Sequence, residues 1–389
     1  MKFKRIIVIF LTVSMLTTFS CKSTQIMVSE TDKSGWNTNY TYVFVHGLSG
    51  WGHYDFLNNF FPYWGMKNGS LIKQLRRQGF SCYDASVAPQ GSAWDRACEL
   101  YAQLTGTKTD YGLEHSTRCG HERYGRDFSK NPLIPHWDSE NKINILGHSF
   151  GGATVRLLAH LMSEGSEAER NATPENELSP LFAGGHADWI YSVTALAAPH
   201  NGTSAYHIPD ENPDEKSSSE KMMEKTNAPK KDGRAEYDYA DFDMHIQNAA
   251  EMNRWITTIK SAYYFSFPCS STKTAEDGTH EPIPEITEKM LRRSSTKLGK
   301  FEGTTYDGIE LSKEWQENDG LVNTISAMAP DFAPSKKYSE TDGLELEKGI
   351  WYVMPTYRGD HMALQGGLTI RSNITELYVR HLNMINQLK

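Results

Sequence analysis

The sequence predicts an α/β fold, a mostly parallel sheet with helices on both faces. Three observations carry this. Short β-branched and aromatic runs alternate with segments of helical period, the pattern that β-α-β crossovers produce. One run, Ile143-Asn-Ile-Leu146, breaks into glycines at Gly147-His-Ser-Phe-Gly-Gly152 and resumes as the apolar-faced helix Ala153-Thr-Val-Arg-Leu-Leu-Ala-His160, so it reads as strand, sharp turn, helix. The length of 389 residues, less a leader, would make two average domains, yet large α/β proteins commonly use it as one domain with insertions.

In chain order, Met1-Lys-Phe-Lys-Arg5 is basic, Ile6 to Leu16 is almost uninterruptedly apolar, and Thr17-Thr-Phe-Ser20 is a short region ending at Cys21. This is the layout of a secretory signal peptide over residues 1–20, because the apolar run is about half of the ~20 residues that a transmembrane anchor needs. A cysteine directly after the cleavage region resembles the lipobox of bacterial lipoproteins, with Thr18 where leucine is usual. Cys21 is therefore the expected lipidation site, which would hold an exported protein to a membrane surface, the outer membrane or the cell surface. The plainer reading is a secreted protein with an incidental cysteine.

The chain has 40 basic and 48 acidic side chains; residues 1–20 hold three of the basic ones (Lys2, Lys4, Arg5) and no acid, which leaves 37 against 48 and a net charge of −11. With no basic stripe or helix, this balance argues against a nucleic-acid partner. Residues 21–39 are polar and suit a tether. Residues 40–389 are expected to form the α/β domain, with insertions at about 86–140 and 201–255.

Within that domain the expected strands are Thr41-Tyr-Val-Phe-Val45, Gly79 to Ala85, Ile143 to Leu146, Trp189 to Ala197, Tyr263 to Phe267 and Ile350 to Met354. Helices are expected over Ser70–Gln78, Trp94–Leu104 and Ser372–Gln387. Four cysteines besides Cys21, namely Cys82, Cys98, Cys119 and Cys269, allow three pairings and match no small disulfide scaffold, so their state stays open. Cys98, inside a helical pattern, reads as a small buried apolar residue.

Gly147-His148-Ser149-Phe150-Gly151 matches G-x-S-x-G, where small neighbours let the backbone turn tightly and present a serine hydroxyl above the sheet of an α/β hydrolase. Two glycines around a serine also occur in ordinary turns; the strand before and the helix after decide for the nucleophile reading of Ser149. The first strand ends in His46-Gly47-Leu48, where hydrolases of this fold place a backbone N–H of the oxyanion hole. That role is assigned to Leu48, and the other N–H to Phe150, the residue after the nucleophile.

A serine nucleophile needs a histidine base and a carboxylate that orients it, in the chain order Ser, Asp or Glu, His. Of the histidines after Ser149, His160 and His381 fall on helices and His200 precedes any plausible acid. His361, in Arg358-Gly-Asp-His-Met362 past the last strand, sits where a loop can carry it over the sheet. Asp360 adjoins it, but adjacent side chains diverge. Asp319, in Glu317-Asn-Asp-Gly320, is the better orienter, although Asn-Asp-Gly also makes a plain turn.

At this point the chain resembles the zinc-containing thermoalkalophilic lipases of bacilli and their staphylococcal relatives. The shared stretches are Val45-His-Gly-Leu-Ser-Gly-Trp-Gly52, Trp94-Asp-Arg-Ala-Cys-Glu-Leu-Tyr-Ala-Gln-Leu104, Asp110-Tyr-Gly112, Gly147 to Gly152, Leu178-Ser-Pro-Leu-Phe182, Pro199-His-Asn-Gly-Thr203 and Glu317 to Thr324. They run in order from about residue 41 to 380.

The resemblance implies a lipolytic serine hydrolase using Ser149, Asp319 and His361 on esters. The alternatives are a serine peptidase or amidase, and a lipid-anchored binding protein on a hydrolase fold. It also implies one structural zinc held by Asp95, His115 and His121, with Asp238 carried over through Asp243 and Trp255. Spacing alone would not find this site, since His115 and His121 fall on different faces of a continuous helix. The relatives' calcium site is not expected here, because Ala363 and Leu368 stand where its acids should be. Finally, the relatives' long apolar lid is replaced by the shorter, charged Ser204–Glu236, which reads as a solvated loop without a gating role. Little interfacial activation is expected from it.

Overall fold

The computed structural model describes residues 31–209, 216, 218–228 and 232–389. The expected signal peptide, Cys21 and residues 21–30 of the expected tether lie outside them. Residues 31–39, also assigned to that tether, are instead docked: Trp36 Nε1 donates to Asn383 Oδ1 at 2.5 Å, and the N–H groups of Asn37 and Thr38 both donate to the Asn386 carbonyl. Among the described residues no helix is long and apolar enough to cross a membrane.

Seven strands form one parallel sheet: β1 (Thr41–Val45), β2 (Cys82–Ala85), β3 (Ile143–His148), β4 (Ile190–Leu196), β5 (Tyr263–Phe267), β6 (Ser335–Lys337) and β7 (Trp351–Val353). Their spatial order is β6-β7-β5-β4-β3-β1-β2, and every pairing is parallel. Every residue of β3, β4 and β5 is buried, as continuous apolar and β-branched runs covered on both faces require. Truncating fully buried Leu146 to alanine would cost about 2–5 kcal/mol.

The helices that position the site are α1 (Leu71–Arg77), α2 (Ala93–Thr105), α3 (Leu113–Cys119), α4 (Gly151–Glu164), α5 (Ser218–Asn227) and α6 (Thr375–Gln387). Ser70 caps α1 by accepting from the Lys73 N–H, and Ser92 caps α2 in the same way through Asp95, so both starts follow the serine N-cap rule. Helix α4 buries eleven of its residues between the sheet and α2. Helix α6 closes the other face: the Tyr42 hydroxyl of β1 contacts its Leu382 carbonyl at 2.9 Å and Asn386 Oδ1 at 2.6 Å.

Two departures from the expected layout stand out. The edge strand β6 has no apolar pattern, since Ser335 and Lys337 are exposed. Helix α5 falls inside the stretch expected to be a solvated loop. The reason is local: Lys221-Met-Met-Glu-Lys225 is polar overall but made of strong helix formers. Its last turn is fastened to the loops after β1 and β2, because the Thr226 carbonyl accepts from Ser49 Oγ and Gln90 Nε2.

Candidate active site

Parallel pairing brings the carboxyl ends of β1 and β3 to one edge, with Val45 beside Gly147, so the loops that follow them emerge together. Ser149 sits in the turn between β3 and α4 with φ +56°, a left-handed conformation that serine rarely adopts. The flanking glycines are steric necessities. A Cβ on Gly147 would lie 2.2 Å from the Gly151 carbonyl oxygen and one on Gly151 would lie 2.5 Å from the Val45 carbonyl oxygen, while one on Gly47, in the neighbouring loop, would lie 2.7 Å from the Ser149 Cβ.

Three separate loops meet there. Ser149 Oγ lies 2.7 Å from His361 Nε2, and His361 Nδ1 lies 2.8 Å from Asp319 Oδ2. The Asn-Asp-Gly turn and the orienting carboxylate turn out to be one feature. Asp319 Oδ1 accepts from the N–H groups of Leu321 and Val322, which leaves Oδ2 for the imidazole. The His361 N–H donates to the Asp319 carbonyl at 2.8 Å, fixing the two residues at both backbone and side chain. Burial works against the imidazolium of His361, but the Asp319 charge and hydrogen bond outweigh it and raise its pKa above the ordinary 6.5. Asp360 is no orienter: Oδ2 accepts from the Glu288 N–H and Oδ1 from the Met362 N–H.

Further residues, not singled out by sequence, hold this arrangement. The Gly47 N–H donates to Tyr63 Oη at 3.0 Å, and the Tyr63 hydroxyl donates to His148 Nδ1 at 2.7 Å, because the His361 carbonyl takes the one N–H of the neutral His148 ring at Nε2. His148 Nε2–H then donates to the His361 carbonyl at 2.8 Å. Each donor in this chain is determined by the next acceptor, and it links the loop after β1 to the histidine backbone. His148 is neutral, because burial and then the neighbouring His361 push its pKa down to about 3. Arg96, fully buried on α2, donates to the His46 carbonyl through Nη2 and to the Gly47 carbonyl at 3.3 Å through Nη1. Both of the loop's carbonyls are thereby taken up by the guanidinium. Among the described residues, neither the Leu48 nor the Phe150 N–H donates to a protein group.

A second polar cluster is centred on the insertion between β2 and β3, and Asp238 joins it from the segment between β4 and β5. His115 Nε2 is 3.1 Å from Asp95 Oδ1 and 3.3 Å from Asp238 Oδ1; His121 Nε2 is 3.4 Å from Asp238 Oδ2 and 3.7 Å from Asp95 Oδ1. The obstacle that the spacing raised is removed by Gly120, which ends α3 at φ +78° and lets His121 fold back beside His115. His115, Cys119, His121 and Asp238 can together hold a metal ion. Cys119 was not anticipated; its Sγ faces His115 Nδ1 at 3.7 Å, the nitrogen opposite the one the carboxylates share. Arg234 Nη1 meets Asp95 Oδ2 at 2.8 Å and Asp238 Oδ2 at 3.3 Å.

The donor set fits zinc. Four ligands at about 2.0–2.1 Å in a tetrahedron stand roughly 3.3 Å apart, and the four histidine–carboxylate separations, taken to the nearer oxygen of Asp238 in each case, run from 3.1 to 3.7 Å. His121 Nε2 is buried and has no hydrogen-bond partner, while its Nδ1 contacts the Glu122 carbonyl at 2.9 Å, which leaves the Nε2 lone pair free.

A parallel sheet with a serine on a strained strand-to-helix turn, met by a histidine and an aspartate from later loops, defines an α/β hydrolase. Comparison with known proteins narrows this. A family profile described as "Lipase-like, C-terminal domain" matches residues 38–216. The chain is similar to the solved structure of EstA from Clostridium botulinum (30% identity, TM-score 0.79, 91% of this chain and 88% of that one). It is likewise similar to lipase 1 from Pelosinus fermentans (32%, TM-score 0.73, 90% and 99%). Among curated sequences it is 31% identical to the lipase of Staphylococcus hyicus over 352 residues, which is 82% of this chain and 52% of that protein. The chain belongs to this family of bacterial lipases and esterases. It spans about half the length of the curated relatives it matches.

Proposed function

We propose that this chain is a serine-dependent carboxylic-ester hydrolase that works through an acyl-enzyme. The observation that carries the reading is the pair of short contacts through which His361 links Ser149 Oγ at 2.7 Å to Asp319 at 2.8 Å. In the first half-reaction Ser149 Oγ attacks the ester carbonyl carbon while His361 Nε2 takes its proton. Asp319 stabilises the imidazolium, and the Leu48 and Phe150 N–H groups receive the developing oxyanion. A donor of this kind is worth about 10²–10³ in turnover. Collapse expels the alcohol, protonated by His361. Water, deprotonated by the same nitrogen, then releases the acid and regenerates Ser149.

The substrates are inferred to be acyl esters of short or medium chain, cleaved as dissolved monomers. By sequence Ser204–Glu236 holds few apolar residues that could open onto lipid, and α5 exposes Met222 as its one large apolar side chain among the described residues. Parent and Ser149→Ala proteins assayed on p-nitrophenyl esters of graded length, beside a peptide amide, test this. Ester turnover lost in the variant supports the hydrolase; peptide turnover would move the reading to a peptidase, and no turnover to a binding protein. A sharp rate increase at the substrate's solubility limit would restore an interfacial lipase.

The second part of the reading is one structural zinc held by Asp95, His115, His121 and Asp238. When bound, the ion would neutralise the two buried carboxylates and tie α2 and α3 to residues 232–243, and it takes no part in ester cleavage. Export and lipid attachment at Cys21 complete the proposal. Fatty-acid labelling that disappears in Cys21→Ser tests them.

A further inference from the structure

The segment that carries His361 has little regular structure of its own. After His361 it makes one turn of 3₁₀ helix over Ala363–Gln365, followed by two glycines at φ +117° and +70°. A short ladder of Tyr357–Arg358 with Cys269–Ser270 ends three residues before His361, and among the described residues no strand pairing follows it up to Ile370, so beyond its backbone bond to Asp319 the histidine segment depends on individual hydrogen bonds. One anchor spans the histidine. Glu288, only 2% exposed, accepts through Oε1 from the N–H groups of Leu368 at 2.9 Å, Ile370 at 2.8 Å and Thr369, and through Oε2 from Thr369 Oγ. Its own N–H donates to Asp360 Oδ2 at 2.6 Å. One residue thus grips the segment immediately before the histidine and again seven to nine residues after it.

Three successive N–H groups converging on one point form an anion-binding concavity. A calcium ion needs converging oxygens in its place, and the residues present do not fit one. Ala363 and Leu368 offer no carboxylate, and the carboxylate of Glu288 is saturated by N–H and O–H donors. Burial disfavours ionised Glu288, but the Thr369 hydroxyl and the three N–H groups outweigh it and hold its pKa below the ordinary carboxylate value.

We propose that Glu288 is a positioning residue for the hydrolytic reaction, an internal carboxylate that holds the His361 segment against Ser149 without a metal ion. This rests on the hydrolase reading above. Removing the charge loosens the segment, and a displaced imidazole slows proton transfer without altering how the ester is bound. An error of about 1 Å in such a group can cost around 10²-fold in rate.

The test compares Glu288→Gln and Glu288→Asp with the parent on p-nitrophenyl butyrate. The expected result for Glu288→Gln is a kcat lower by roughly 10–100-fold with KM within about twofold. Ser149 should be labelled by a fluorophosphonate more slowly by a similar factor, and amide exchange should speed up over residues 361–370. Glu288→Asp, which keeps the charge, should recover part of kcat. An unchanged kcat in Glu288→Gln overturns the proposal, as does parent activity that is lost to a calcium chelator and restored by micromolar calcium. A parent that cleaves no ester overturns the hydrolase reading alone; the exchange measurement then decides the tether, and unchanged exchange in Glu288→Gln overturns it.

Discussion

Ser149, Asp319 and His361 come from three loops far apart in sequence, each delivered past the carboxyl edge of the same sheet, and their polar atoms satisfy one another. The cluster in the insertion is built the other way. Asp95, His115, His121 and Asp238 come from α2, α3 and a later loop, none on the sheet, and they gather two buried carboxylates around a histidine nitrogen without a partner. Geometry at the first centre is set by the scaffold. At the second, on the zinc reading proposed above, a cation would set it, since buried like charges are costly unless something of opposite sign lies between them. Arg234 supplies part of that charge from the rim. One centre should therefore fail in chemistry while leaving the fold intact, and the other should fail in stability while leaving chemistry intact.

The largest effect that would break this contrast is at the nucleophile. Ser149→Ala and His361→Ala are each expected to lower ester turnover by about 10⁴-fold or more with the melting temperature within a few degrees of the parent. A variant that melts far earlier would show that the triad also holds the fold. Asp319→Asn is expected to cost about 10³–10⁴ in kcat, because the imidazole loses its orienting acceptor. It also sharpens the pH argument. In the parent the base form of His361 is lost as pH falls through a pKa raised above 6.5. Without the Asp319 charge that pKa drops, so the acid limb of kcat/KM should move to lower pH while its maximum falls.

At the second centre, metal analysis should find one zinc per chain. A ligand present at a thousand times its Kd contributes about 4 kcal/mol, so a strong chelator, or His121→Ala, should lower the melting temperature by roughly 5 °C. Turnover below the transition should stay within about twofold. Absence of zinc from the purified parent sinks the site, and immediate loss of turnover in folded, chelated protein collapses the distinction between the centres. The smallest effect is Tyr63→Phe, which removes the proton given to His148. A net hydrogen bond of about 0.5–1.5 kcal/mol predicts a loss of roughly 2–13-fold in kcat.

Most of the sheet was legible because its central strands are continuous apolar runs, and Ser149 because its steric needs dictate glycines on both sides. Asp319 and His361 were legible through the order that the fold imposes. What escaped has a common cause. Glu288 meets its partners some 80 residues away, and the Tyr63–His148 link spans 85, so neither leaves a local pattern. The edge strand β6 is short and polar and pairs on one side only. His115 and His121 could be brought together only by a left-handed glycine, whose conformation spacing does not report. Helix α5 was hidden by its charge, since composition tracks solvation while helix formation tracks propensity.

The clasp between the first strand and the last helix has a consequence for how the molecule comes into being. The Tyr42 hydroxyl finds its partner 344 positions later, at Asn386. At a ribosomal pace of about 5–20 residues per second, that partner follows roughly 20–70 s after the strand itself. For all that time β1 can pair but lacks its cover by the last helix, and contacts this distant in sequence form slowly even once both parts exist. The nascent chain therefore stays open and threadable on this side at least until Asn386 has been made.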